Sequence, residues 1–263
     1  MWEFLQNMES DLRKSLAGLP LGGICYLEST GSTNDVALAW AAEGAPDFSL
    51  VVADRQTSGR GRMGRKWFTS PGAALALSVI LRPSEQEREN IGLFSGLGAL
   101  ALVDALKNYG ISAQIKWPND VLVARKKTAG ILVETAWMGA EVESLVLGMG
   151  VNVSPAAIPP EGELNFPATW IQSEARNPVE RFDLLRSLMV ALIKWRPRLG
   201  TGHFLCEWQD ALAFRGEIVQ VWLGETETVI GALDGLEADG SLRLVVNGAQ
   251  RLIRYGEIHL RPL

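Results

Sequence analysis

The chain has 263 residues, 47% of them hydrophobic and 21% charged, with a formal net charge of −5: the make-up of a packed globular protein with room for one main domain and a small companion. The acidic balance argues against a broad basic face for duplex DNA, and Cys25 and Cys206, far apart and without CxxC spacing or a nearby histidine, argue against a zinc site and for a reduced, cytoplasmic protein. The opening MWEFLQNMESDLRKSL breaks its apolar residues with charges, and no later run reaches about 18 uncharged apolar residues, so neither a signal peptide nor a membrane span is expected.

In chain order, residues 1–17 predict a short amphipathic helix ending at Gly18 and Pro20, and GGICYLES from Gly22 predicts a strand. Ser32, Thr33, Asn34 and Asp35 then offer N-caps for a helix whose apolar face is expected at Val36, Ala39 and Trp40. Two core strands are expected at Phe48 to Ala53 and Ala74 to Leu81, joined by a basic loop. Ile91, Phe94, Leu97 and Ala101 fall at helical spacing, and Gly92, Gly96 and Gly98 suggest close packing of that helix on a sheet. Four β-leaning runs follow, Gln114 to Trp117, Val121 to Ala124, Thr128 to Trp137 and Ser144 to Asn152, which suits a mixed or antiparallel sheet better than βαβ alternation. Pro155, Pro159 and Pro160 mark a surface loop, and Arg181 to Trp195 is a strongly amphipathic helix. Short β runs at Glu217 to Leu223, Thr228 to Asp234, Ser241 to Val246 and Arg251 to Tyr255, with Asp239-Gly240 and Asn247-Gly248 as hairpin turns, predict a small β-barrel from about 213.

The basic loop DRQTSGRGRMGRKW, Asp54 to Trp67, holds Gly59, Gly61 and Gly64 among Arg60, Arg62, Arg65 and Lys66. Glycine lets backbone N–H groups approach an anion, and the cations add charge that a bare nest lacks, so the loop suits a phosphorylated or adenylated compound. A solvated charged hairpin is the bland alternative. The glycines also satisfy GxGxxG, but a dinucleotide fold needs a helix at the third glycine, whereas Ser70-Pro71-Gly72 leads into a strand.

A second basic turn, KWPNDVLVARKKTAGI, places Asn119 and Asp120 between Lys116 and Lys127. Asp120 could hold Mg²⁺ on a nucleotide or serve as an ordinary turn-forming residue. GSTN at 31–34 can hydrogen-bond a neutral polar head such as a urea or cap a helix, and GMGVN at 148–152 suits a flat ring lying on backbone or a bulge. His203 and His259 lie away from every motif, which favours chemistry with little proton transfer. Activation of a carboxylate by ATP qualifies, since a carboxyl of pKa about 4.3 is already ionised at neutral pH.

Taken together, GSTN, DRQTSGRGRMGRKW, KWPND, KKTAGILVE and GMGVNV, in this order, resemble the biotin protein ligases over about Gly22 to Pro262. The resemblance implies an α+β fold: a mixed-sheet catalytic domain flanked by helices over residues 1–212, and an SH3-like C-terminal barrel over 213–263. It implies formation of biotinoyl-5'-AMP from biotin and ATP with Mg²⁺, then transfer of biotin to a lysine of a biotin carboxyl carrier protein or domain. Carried over by motif, Ser32, Thr33, Asn34 and Gln56 hold the ureido head. Gly59, Arg60, Gly61 and Arg62 close over biotin and adenylate, and Lys127 meets the activated carboxyl and phosphate. Arg60, Arg62, Arg65, Trp67, Lys116, Asn119, Asp120, Lys127 and Asn152 line the adenylate side, Asp120 through nucleotide-borne Mg²⁺. The catalytic set is then Lys127, Arg62 and Asp120, with Asp120 a partner for deprotonating the acceptor lysine.

With about twenty residues before the first catalytic strand, too few for a winged-helix repressor domain, the chain resembles the single-function type. Its edge strands could pair with a second copy or with the carrier. A lipoate or octanoate ligase or transferase of the same fold is the competing enzyme, disfavoured by the polar GSTN and Gln56 set. A DNA-binding or non-catalytic adenylate-binding regulator is the competing class.

Overall fold

The computed structural model of the chain describes residues 2–159, 164, 166–224, 227–254 and 258–263. Helix α1 (Trp2–Ser15) precedes strand β1 (Gly23–Thr30), helix α2 (Thr33–Ala42), and strands β2 (Ser49–Gln56) and β3 (Ala74–Leu81). The short α3 (Glu85–Arg88) and long α4 (Phe94–Lys107) lead to the strands β4 (Ala113–Lys116), β5 (Asp120–Val123), β6 (Lys126–Met138) and β7 (Glu141–Asn152). Helices α5 (Ile171–Glu174), α6 (Arg181–Trp195) and α7 (Gly202–Asp210) come next, then β8 (Ile218–Leu223), β9 (Glu227–Leu236), β10 (Leu242–Val246), β11 (Ala249–Ile253) and β12 (Ile258–Pro262). Pro160 and Tyr255, expected in a surface loop and at a strand end, lie outside the described residues.

Among the described residues, seven strands form one sheet in the order β1-β2-β3-β7-β6-β5-β4, with β1 and β2 parallel and every other pair antiparallel. The expected mixed sheet is therefore present. Strand alternation gives its faces opposite duties. Leu75, Leu77, Val79 and Leu81 of β3 and Leu145, Leu147, Met149 and Val151 of β7 enter the main core with α4 and α6. Ile80 and Val146 join a smaller cluster under α2. On that second face the rows thin to small or polar residues: Ser78 opposite Gly148, Gly148 opposite Leu132, Gly150 opposite Gly130, and Gly130 opposite Asp120. One face of the sheet is a packed floor and the other a shallow trough.

Two expectations are corrected. In α2 the buried residues are Thr33, Asn34, Ala37 and Ala41, whereas Ala39 is exposed, because the face toward the sheet runs from the polar first turn through Ala37 and Ala41, with Val36 and Trp40 partly buried against the same cluster. Gly98 does face the sheet, where an added Cβ would stand 3.1 Å from Leu147, but Gly96 faces α7, with Trp208 ring carbons 2.4 to 2.6 Å away. The C-terminal strands form an antiparallel sheet ordered β11-β10-β9-β8-β12, and no pairing among the described residues closes it into a barrel. The hairpin expected at Asn247-Gly248 is formed, both residues taking positive φ (51° and 80°) as a two-residue turn of this twist requires.

Candidate active site

The loop from β2 to β3 folds back as a hairpin over the trough. Trp67 N–H donates to the Gly59 carbonyl at 2.8 Å, Gly61 N–H to the Arg65 carbonyl at 2.7 Å, and Met63 and Gly64 turn the tip at positive φ. Gly59 allows no side chain, since a Cβ would lie 2.5 Å from the Trp67 carbonyl oxygen. Returning, the chain lays Trp67 across β6 and β7. A Cβ on Gly150 would stand 2.2 Å from its indole ring and one on Gly130 would stand 3.2 Å away. The flat ring anticipated over GMGVN is thus supplied by the chain itself.

Beneath the hairpin lies a cavity of about 110 Å³ lined by Ser32, Thr33, Asn34, Gln56, Arg60, Gly61, Arg62, Arg65, Trp67, Lys116, Asn119, Asp120 and Lys127. It adjoins an open cleft of about 1210 Å³ that shares Gln56, Arg60, Arg65, Trp67, Lys116, Asp120 and Lys127 with it and adds Gly59 and Asn152. Arg62 and Lys127, about sixty residues apart in sequence, line the same cavity. Every candidate residue falls on one of the two spaces.

At the α2 end the groups are polar and neutral. Gln56 Oε1 accepts from Thr33 N–H at 2.8 Å and Thr33 Oγ1 at 3.1 Å, while its Nε2 donates to Thr69 Oγ1 at 3.3 Å. Ser78 Oγ lies 2.8 Å from Thr33 Oγ1 and donates to Asn34 Oδ1 at 2.6 Å. Asn34 Nδ2 donates to Glu134 Oε2 at 2.6 Å and packs its amide on Gly148. Ser32 holds the N-cap position of α2 but makes no side-chain cap, so its hydroxyl is not consumed by the helix end. Ser78 of β3, Glu134 of β6 and Thr69 of the loop after Trp67 join this end with no motif in the sequence to announce them.

The other end is charged. Lys127 Nζ is 2.6 Å from Asp120 Oδ1 and Lys116 Nζ is 3.2 Å from Asp120 Oδ2. Burial pushes the Asp120 carboxyl upward, but the two ammonium groups outweigh it and hold the pKa down to about 2. Burial lowers the pKa of Lys116, with Asp120 opposing the shift and Lys127 adding to it. The trio carries one net positive charge, and both Asp120 oxygens are taken by ammonium groups. Among the described residues no group of three His, Cys, Asp or Glu could hold a metal ion. With one net positive charge at this end of the cavity, the trio suits an anion.

Neighbouring bonds fix that end. Arg62 donates to Asn119 Oδ1 at 3.3 Å, and Asn119 Nδ2 donates to the Ile131 carbonyl at 2.8 Å. Lys127 N–H donates to the Pro167 carbonyl at 2.7 Å and its own carbonyl accepts from Thr169 N–H at 2.9 Å. Asn152 Nδ2 donates to the Thr169 carbonyl at 3.1 Å. Lys127 Nζ stands 5.5 Å from the centre of the Trp67 ring, whose buried Nε1 finds no partner. Arg261, on β12, also lines the open cleft, so the C-terminal sheet reaches the site, which nothing in the sequence announced.

The chain is similar to known proteins over most of its length. The model of the biotin/lipoate A/B protein ligase family matches residues 26–152. The bifunctional ligase/repressor BirA of Bacillus subtilis (strain 168) is 35% identical over 188 residues, 71% of this chain, and the chain spans only 58% of that relative's length. The biotin–acetyl-CoA-carboxylase ligase of Mycobacterium tuberculosis is 33% identical over 266 residues, covering 96% of each protein. Among solved structures, the biotin protein ligase of Aquifex aeolicus in complex with biotin and ATP superposes with a TM-score of 0.78 at 28% identity, over 92% of this chain and 99% of that one. The chain belongs to the biotin protein ligases of the biotin/lipoate A/B protein ligase family.

Proposed function

We propose that the protein activates biotin with ATP as biotinoyl-5'-AMP and transfers it to a lysine of a biotin carboxyl carrier protein or domain. The observation that carries this reading is the shared cavity, with a neutral hydrogen-bonding end at Ser32, Thr33, Asn34 and Gln56 and a cationic end at Arg62, Lys116 and Lys127. A urea head at the first end leaves the ligand's carboxylate directed to the second. There the carboxylate oxygen attacks the α-phosphorus of ATP and the bond to the β-phosphate oxygen breaks. Pyrophosphate leaves with its electron pair. Lys127 and the loop arginines hold the two anions together and neutralise the charge that develops, so positioning and electrostatics carry the step. Mg²⁺ enters as the counter-ion of ATP.

In the second step the acceptor lysine nitrogen attacks the acyl carbon and AMP departs. An amine of pKa about 10.4 must first lose a proton. Asp120 is the carboxylate at hand, and it takes this role only when Lys127 and Lys116 turn to the phosphate. An Asp120→Ala protein that transfers biotin normally from preformed biotinoyl-AMP would remove it.

The finer parts of the reading go with this proposal: a catalytic unit over 1–212, an SH3-like unit over 213–263, and a cytoplasmic location. Among the described residues no helix is long and apolar enough to cross a membrane. Two relatives, a biotin–acetyl-CoA-carboxylase ligase and a biotin protein ligase in complex with biotin and ATP, support the substrates. Biotin-dependent exchange of labelled pyrophosphate into ATP tests the first step: lipoate-dependent exchange instead would favour an acyl ligase of the other kind, and none at all would favour a binding regulator. Mass spectrometry of a carrier domain incubated with the protein, biotin and MgATP tests the second.

A further inference from the structure

Glu134 lies on β6, on the trough face of the sheet, and its carboxylate is shared between two parts of the site. Oε2 accepts from Asn34 Nδ2 at 2.6 Å, while Arg60 Nη2 donates to Oε1 at 3.1 Å and to Oε2 at 2.8 Å. The other terminal nitrogen of Arg60 reaches Asp35 Oδ1 at 2.6 Å. One strand carboxylate therefore ties the first turn of α2 to the hairpin that covers the cavity.

Each bond does something the other cannot. Ser78 donates to Asn34 Oδ1, so the amide nitrogen of Asn34 must face Glu134; without that acceptor it would keep only the long 3.4 Å contact to the Leu132 carbonyl. Arg60 comes from the glycine-rich hairpin, whose backbone has little side-chain packing to hold it, so its anchorage rests on charge. The Arg60 and Glu134 side chains are 39% and 30% exposed, which keeps their pair screened and exchangeable for a phosphate.

We propose that Glu134 is a positioning residue that orders the neutral pocket through Asn34 and holds the hairpin through Arg60, so that pocket and cover share one acceptor. The proposal deepens the ligase reading and rests on it for the identity of the pocket's occupant.

Two variants separate the two bonds. Glu134→Gln keeps an oxygen for Asn34 and removes one of the two carboxylate charges that hold Arg60, leaving Asp35, whereas Glu134→Ala also removes the acceptor of Asn34. Trypsin digestion of the ligand-free proteins should cut between Arg60 and Lys66 at least about fivefold faster in both variants, since a charge-assisted pair is lost in each. Biotin binding by titration calorimetry should weaken at least about tenfold in Glu134→Ala and stay within about threefold of the parent in Glu134→Gln. Unchanged cleavage in both variants, or equal biotin affinity in Glu134→Ala and the parent, would overturn the proposal. A parent protein that does not bind biotin would sink the ligase reading instead, and the cleavage comparison, which needs no ligand, would still decide whether Glu134 holds the hairpin.

Discussion

Lys127 and Asp120 meet at 2.6 Å on adjacent strands, and Lys116 takes the remaining Asp120 oxygen at 3.2 Å. Because Asp120 has a folded pKa of about 2, below its ordinary 3.8, its ionisation stabilises the fold above the ordinary value and that stabilisation disappears as pH falls through about 2. A shift of this size is worth on the order of 2 kcal/mol. Urea unfolding between pH 5 and 2 should therefore show a steeper loss of stability in the parent than in Asp120→Asn. Parallel curves would mean that the carboxylate is not held as the geometry implies.

Arg62→Ala and Lys127→Ala should each slow adenylate formation by about a hundredfold or more, as the loss of one preorganised charge generally does. Single-turnover formation of biotinoyl-AMP is the measurement. Near-parental rates in both would contradict the assignment of the cationic end, because Arg62 comes from the β2–β3 hairpin and Lys127 from the start of β6, and both line the one cavity.

The glycines of β7 are a sharper test, since they leave charge untouched. A methyl on Gly148 would sit 2.1 Å from Asn34 Oδ1 and one on Gly150 would sit 2.2 Å from the Trp67 ring. Gly148→Ala should weaken biotin binding more than ATP binding, and Gly150→Ala the reverse, each with an overpacking cost of about 1–3 kcal/mol. Calorimetric titration of both ligands into both variants checks the crossing pattern; the same loss for both ligands in each variant would show that the two ends of the cavity are not distinct.

Much of this architecture was legible where one physical signal dominated. β3 is apolar at every position but Ser78 because both its faces are buried, and α6 carries an amphipathic stripe, so both have the bounds that their sequences predict. The first turn of α2 was misjudged because it buries Thr33 and Asn34, and periodicity counts only apolar residues. β12 was missed altogether. The charged motifs were readable because glycine and arginine in one loop have few other uses. Ser78 and Glu134 were not, since their meaning arises only when β3, β7 and β6 pair and set them beside Asn34.

Coupling between the C-terminal sheet and the site is the last point, and Trp117 carries it. Its indole is 1% exposed and donates to the Gly240 carbonyl, in the β9–β10 turn, at 3.0 Å. The segment that leads from α7 into β8 is held as well: Ile115 exchanges backbone bonds with Ala211 and Ala213 at 2.7 and 2.9 Å, and Arg125 forms a bidentate pair with Glu217 at 2.8 and 2.9 Å. Since Trp117 follows Lys116 directly and Asp120 begins the next strand, any slackness at the indole moves the charged trio before it moves the neutral end around Asn34. Trp117→Phe keeps most of the buried ring and strands the Gly240 carbonyl, at a cost of about 1–3 kcal/mol. It should raise the KM for ATP severalfold while leaving the affinity for biotin within about twofold, a split that simple loss of stability does not produce. Parallel changes for the two substrates, or none, would show that the trio is positioned by its own strands without help from the C-terminal sheet.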